Sequence, residues 1–184
     1  MHESRTDEPS TPAERYYRGL VGSWRGLFHL EITDAAAMRR SAAPVLVRLG
    51  LLLVAFFPRL GLFRIETLLA RDDETPGVYV HTTRISRFGL TAYTTSERLT
   101  LEPDGRSLAM VGETSAPFTK PERYDATATI AEDASGATYT IPWLGEDLTQ
   151  RTRVVPEGLE LSQETRWSKA MVLLRRTSPA TSDG

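Results

Sequence analysis

The chain has 184 residues, no cysteine, a formal net charge of -2 and a charged fraction of 25%. That length is enough for one domain with a real core. Without thiols there are no disulfides, no thiolate catalysis and no cysteine-ligated metal, and without a basic field no nucleic-acid partner is expected.

Residues 1–10 are polar and mixed in charge and read as a disordered lead. They lack the basic start and apolar stretch of a secretory signal, so a cytoplasmic location is expected. In "TPAERYYRGL", Thr11 stands as a cap, Pro12 as the first helical residue and Glu14 three after the cap. This capping-box pattern predicts a helix, kept short by Gly19 and Gly22. From Trp24 to Thr33 the pattern alternates. Trp24, Gly26, Phe28, Leu30 and Ile32 share one face, which predicts a strand half buried against a core.

Asp34 then caps a different kind of segment. The stretch "DAAAMRRSAAPVLVRLGLLLVAFFPRLGL" predicts one or two helices over about 35–57, broken near Pro44 and stopped before Pro58. Its longest uncharged apolar run, Leu49 to Phe57, is well short of the about 20 residues that span a bilayer. Phe63 to Ala70 fits helix or strand equally. From Gly77 onward eight strand-like segments follow, with turns at "PDG", "ASG" and "PEG". Short strands at regular spacing predict an antiparallel barrel or sandwich. The domain runs over 11–177, and 178–184 read as a disordered tail.

Strand parity names the inward side chains. They are Tyr93, Thr95, Glu97, Leu99 and Leu101; then Tyr124, Ala126, Ala128 and Ile130; then Tyr139, Ile141 and Trp143; then Leu148, Gln150, Thr152 and Val154; and last Leu159, Leu161, Gln163, Thr165 and Trp167. Polar groups in an apolar lumen need partners, and a ligand supplies them where the protein does not. Tyr124, Tyr139, Trp143, Gln150, Gln163 and Trp167 are therefore candidate ligand contacts, with Ala126 and Ala128 leaving room. Glu97 and Tyr93 are the candidate acid–base pair. A carboxyl in such a pocket is expected to have a raised pKa. A register slip of one residue would put Arg98 inside in its place.

Gly22-Ser23-Trp24 resembles the Gly-x-Trp signature that opens the first strand in the calycin superfamily, which includes lipocalins, fatty-acid-binding proteins, avidins and nitrobindin-like heme barrels. The resemblance implies a mainly β, up-and-down lipocalin-like barrel, with a short N-terminal helix and, here, an apolar helical insert after the first strand. It implies that Trp24 lies across the closed end under a basic residue of the last strand, Arg175 or Arg176. Nitrobindin-like barrels hold heme through a histidine on a late strand. This chain has none after His81, and no cofactor or metal is expected.

Two functions follow as expectations. One is binding of a small apolar or aromatic molecule, fatty-acid-like or polyketide-like, with the insert as lid. The other, which the resemblance also implies, is a cofactor-independent cyclase or isomerase of natural-product biosynthesis. The insert could equally cover the outer wall, or contact a membrane surface or a second protomer through residues 45–57. Arg48, Arg59 and Arg64 could flank an entrance for an acidic ligand.

Overall fold

The computed structural model describes residues 11–117 and 119–177, so the expected lead and tail lie outside the described residues. Ten strands follow in order: β1 (Gly22–Ile32), β2 (Leu62–Arg71), β3 (Val78–Arg87), β4 (Leu90–Leu101), β5 (Ser107–Ser115), β6 (Glu122–Ile130), β7 (Gly136–Trp143), β8 (Glu146–Val155), β9 (Gly158–Glu164) and β10 (Ser168–Arg176). Each pairs antiparallel with the next, and β10 closes on β1. The result is a closed up-and-down barrel of a calycin-like kind, with no open sheet edge to protect. The ambiguous segment from Phe63 to Ala70 is β2. Its place between β1 and β3 supplies the backbone partners that local sequence alone does not reveal.

One end of the barrel is closed by the N-terminal helix α1 (Pro12–Leu20). Thr11 caps it as its sequence demands, accepting from the Glu14 amide at 3.2 Å. Ala13 N–H bonds the Gly105 carbonyl in the β4–β5 turn, which fastens the helix over that end. Tyr16, Tyr17 and Leu20 turn down into the core. Trp24 starts beneath them, and its indole N–H donates to the Leu20 carbonyl at 2.8 Å. The Arg176 guanidinium lies over the indole, 4.9 Å from the ring centroid, and donates to the Gly19 and Val21 carbonyls. Of the two terminal arginines, Arg176 takes this place.

The opposite end carries the insert. Asp34 caps α2 (Ala35–Arg39) by accepting from the Ala37 amide, Pro44 precedes α3 (Val45–Phe56), and a 3-10 turn follows over Pro58–Gly61. The break and the stop fall at the two prolines, where proline geometry puts them. Met38 and Leu51 of this insert pack with Trp167 into a small second core outside the barrel. Leu46, Leu49, Leu53 and Phe56 stay exposed on α3, as do Phe57 after it and Phe88 on the β3–β4 turn. Among the described residues no helix is long and apolar enough to cross a membrane.

Candidate functional site

The lumen holds a cavity of about 240 Å³. Its wall is mostly apolar and includes Tyr16 and Tyr17 from α1, Trp24 and Phe28 from β1, and Ile65 and Leu69 from β2. Tyr93, Glu97, Tyr124, Tyr139, Trp143, Gln150 and Gln163 all line it, as their parity predicts. Glu97 is the one Asp, Glu, Lys or Arg among the described lining residues.

The register builds a row of four residues across four strands. His81 on β3 faces Glu97 on β4, Glu97 faces Gly112 on β5, and Gly112 faces Tyr124 on β6. Inward side chains in register are near neighbours, so His81 meets Glu97 directly, Nδ1 to Oε2 at 2.5 Å. Tyr124 is one strand too far for that. It reaches because Gly112 has no side chain: a Cβ there would lie 2.4 Å from Tyr124 Cζ. The phenol crosses the bare backbone and donates its hydroxyl to Glu97 Oε1.

Behind the imidazole the chain of bonds continues. Thr67 Oγ1 on β2 lies 2.5 Å from His81 Nε2, and the Thr83 hydroxyl donates to Thr67 Oγ1 at 3.2 Å. With Glu97 accepting at Nδ1–H, the Nε2 side looks toward two hydroxyls that also line the cavity. A carboxylate that fixes one ring nitrogen sets the tautomer and frees the other for proton exchange.

Glu97 is only 8% exposed. Burial pushes its carboxyl up, but the His81 charge and the hydrogen bonds from His81 and Tyr124 outweigh that, leaving it below the usual range. This corrects the expected raised pKa. The parity was right, but the cross-strand partners were invisible to it. Burial, then the charge of Glu97, pushes the Tyr124 hydroxyl far up, so it stays a donor. Burial also lifts Tyr93, to about 12. Tyr93 lines the same cavity, but the phenol on Glu97 belongs to Tyr124.

The opposite wall, five strands round the barrel, carries a second polar pair. Gln163 Nε2 donates to Gln150 Oε1 at 2.7 Å. No further side-chain partner for Gln150 Nε2 or Gln163 Oε1 occurs among the described residues, and both side chains line the lumen. Tyr139 bonds Tyr17, hydroxyl to hydroxyl at 2.9 Å, and Tyr16 bonds Thr152. These pairs tie α1 to the strands beneath it.

Three expectations need correcting. Trp167 does not line the lumen. β9 ends at Glu164, and the Thr165 hydroxyl binds the Trp167 and Ser168 amides, so the alternation stops in a turn. Trp167 is fully buried behind the wall, stacked on Trp143 with ring centroids 5.2 Å apart. Ala126 and Ala128 are packed into the core and do not reach the cavity surface. Val154 is exposed.

Sequence reasoning gave His81 a structural rather than a site role, and passed over Thr67, Gly112, Tyr16 and Tyr17. His81 was signalled by the alternation Tyr79, His81, Thr83, Ile85, and Gly112 by being a glycine inside a strand. The other three depended on pairing and docking.

At the mouth lies a second, wider cavity of about 670 Å³, between α3, the β7–β8 turn and the chain after β5. Leu30, Phe63, Ala92, Tyr93, Tyr124 and Trp143 line both cavities, so the two adjoin there. No His, Cys, Asp or Glu cluster of three or more that could hold a metal occurs among the described residues. No protein-family model matches the chain, and no curated protein matches it either.

Proposed function

We propose that the barrel binds a small apolar molecule, aliphatic or aromatic, in its lumen, with α3 as a lid beside the mouth. The observation that carries this is the cavity itself: a mostly apolar chamber with two polar stations on facing walls, His81–Glu97–Tyr124 and Gln150–Gln163. Small-molecule sites have this make-up, a greasy wall with a few converging polar groups. The lid reading draws on α3 standing against the mouth cavity. The Gly-x-Trp resemblance supports the same reading, since Trp24 and Arg176 meet at the closed end.

A second reading is favoured by one feature. A carboxylate holding Nδ1 of an imidazole, with Nε2 turned toward hydroxyls on a cavity wall, is an arrangement for moving a proton. A cofactor-independent isomerase or cyclase would use His81 as the acid–base group and Glu97 to position it.

Native mass spectrometry of the protein purified from its producing host tests the first reading. A defined small molecule released on gentle denaturation supports it. Protein that carries nothing and takes up no apolar compound overturns it. Incubating the recovered molecule with wild type and with His81→Asn separates the two readings. A carrier leaves the molecule unchanged in both. An enzyme converts it, and His81→Asn loses the conversion while still binding.

A further inference from the structure

We propose that the mouth holds the anionic end of the lumen's ligand, and that Arg87 is the group that binds it. This rests on the lumen being the binding site and adds the class of ligand: an apolar molecule with a terminal carboxylate.

Arg87 closes β3 at the mouth and lines the outer cavity. Its guanidinium lies over Phe63, 5.7 Å from the ring centroid, and Phe63 lines both cavities. It also lies over Phe88 at 4.7 Å. One nitrogen, Nη2, donates to the Arg59 carbonyl at 3.0 Å. The other two, Nε and Nη1, are shielded from solvent and meet no acceptor among the described residues. Buried N–H groups of a cation without acceptors are costly, and an incoming carboxylate recovers that cost through charge-assisted bonds.

The charges around it agree. Among the described residues, Arg87, Lys120, Arg123 and Glu122 are the charged ones lining the mouth cavity, a cationic excess. Arg123 is engaged by Glu113 at 3.4 Å, which leaves Arg87 and Lys120 for a guest. None of the three arginines singled out in the sequence lines the mouth cavity. Arg64 pairs with Glu66, and Arg48 donates to the Arg39 and Ala43 carbonyls. Arg59 contributes its carbonyl to Arg87.

Inside, no comparable cation is left for a guest among the described residues. The lumen has no Lys or Arg among its described lining, and Glu97 is held as a carboxylate. An anion there would face that carboxylate, and the imidazole beside it, His81, is already held by Glu97. Size points the same way. The lumen's 240 Å³ falls below the about 300 Å³ of ordinary small-molecule sites, so a ligand that fills it emerges into the mouth. The apolar body goes in first, a neutral polar substituent meets the stations inside, and the carboxylate stays at Arg87.

The test is displacement of bound N-phenyl-1-naphthylamine, a neutral fluorescent probe, by decanoate or by methyl decanoate. Wild type is expected to take the acid at least about tenfold more tightly than the ester, with the preference shrinking in high salt. In Arg87→Gln the preference disappears while the ester curve stays in place. Arg87→Lys, which keeps the charge, retains part of the preference and controls for lost packing on Phe63. Equal displacement by acid and ester in wild type, or a preference that survives Arg87→Gln, overturns the proposal and leaves the lumen reading intact. A probe that never binds overturns both.

Discussion

Tyr124 reaches Glu97 across an intervening strand, over the unoccupied Cα of Gly112. The polar station therefore depends on a residue with no side chain. Gly112→Ala puts a Cβ 2.4 Å from the Tyr124 ring and must push it aside. A loss of about 1–3 kcal/mol is expected from overpacking, together with loss of the Tyr124–Glu97 bond. Urea unfolding measures the first. The second is read by combining Gly112→Ala with Tyr124→Phe: deletion of the hydroxyl costs stability in wild type and nothing further in the alanine background.

Glu97 gives a pH signature of definite sign. Its folded pKa lies below its unfolded value, so ionised Glu97 contributes stability that is complete above the ordinary value of about 4.3 and fades as pH falls through the folded value. The stability gap between wild type and Glu97→Gln is expected to be widest near neutrality and to narrow below about pH 4. Asp34, Asp104 and Asp133 also have lowered pKa values, but they are common to both proteins and cancel. Urea midpoints across pH measure the gap. A gap that widens on acidification contradicts the lowered Glu97 pKa.

At the closed end, Arg176 stacks on Trp24 and bonds two carbonyls of α1 and its exit, whereas Arg175 points to the other face of β10. Arg176→Met is expected to lose about 1–2 kcal/mol, while Arg175→Met stays near wild type. Equilibrium unfolding followed by tryptophan fluorescence distinguishes them, and equal losses would deny Arg176 its special place.

How far the sequence was legible follows from what alternation can encode. Period-two patterns put Tyr93, Glu97, Tyr124, Tyr139 and Gln150 inside, because burial of one face is written into every strand. Pairing is not. That His81 meets Glu97 depends on register between β3 and β4, and nothing in either strand alone states it. The segment from Phe63 to Ala70 was ambiguous for the same reason, a leucine-rich run whose identity comes from its neighbours. Trp167 shows the opposite failure. Its parity was correct for a strand that had already ended, at a turn closed by the Thr165 side chain. Arg87 lies in the short basic stretch RISRFG, which by sequence reads as a solvated face rather than an anion site. Only its burial between Phe63, Phe88 and the Arg59 carbonyl sets it apart from the other arginines at the mouth.

The lumen as a binding chamber entered from the α3 end is tested most directly at Ala92, which lines both cavities where they meet. Titrating N-phenyl-1-naphthylamine into wild type and Ala92→Trp compares an open passage with one filled by an indole. The account predicts saturable binding near one probe per chain in wild type, and at least about a tenfold weakening in a folded Ala92→Trp protein. Unchanged binding in Ala92→Trp would put the probe elsewhere, and no binding to wild type would contradict the chamber itself.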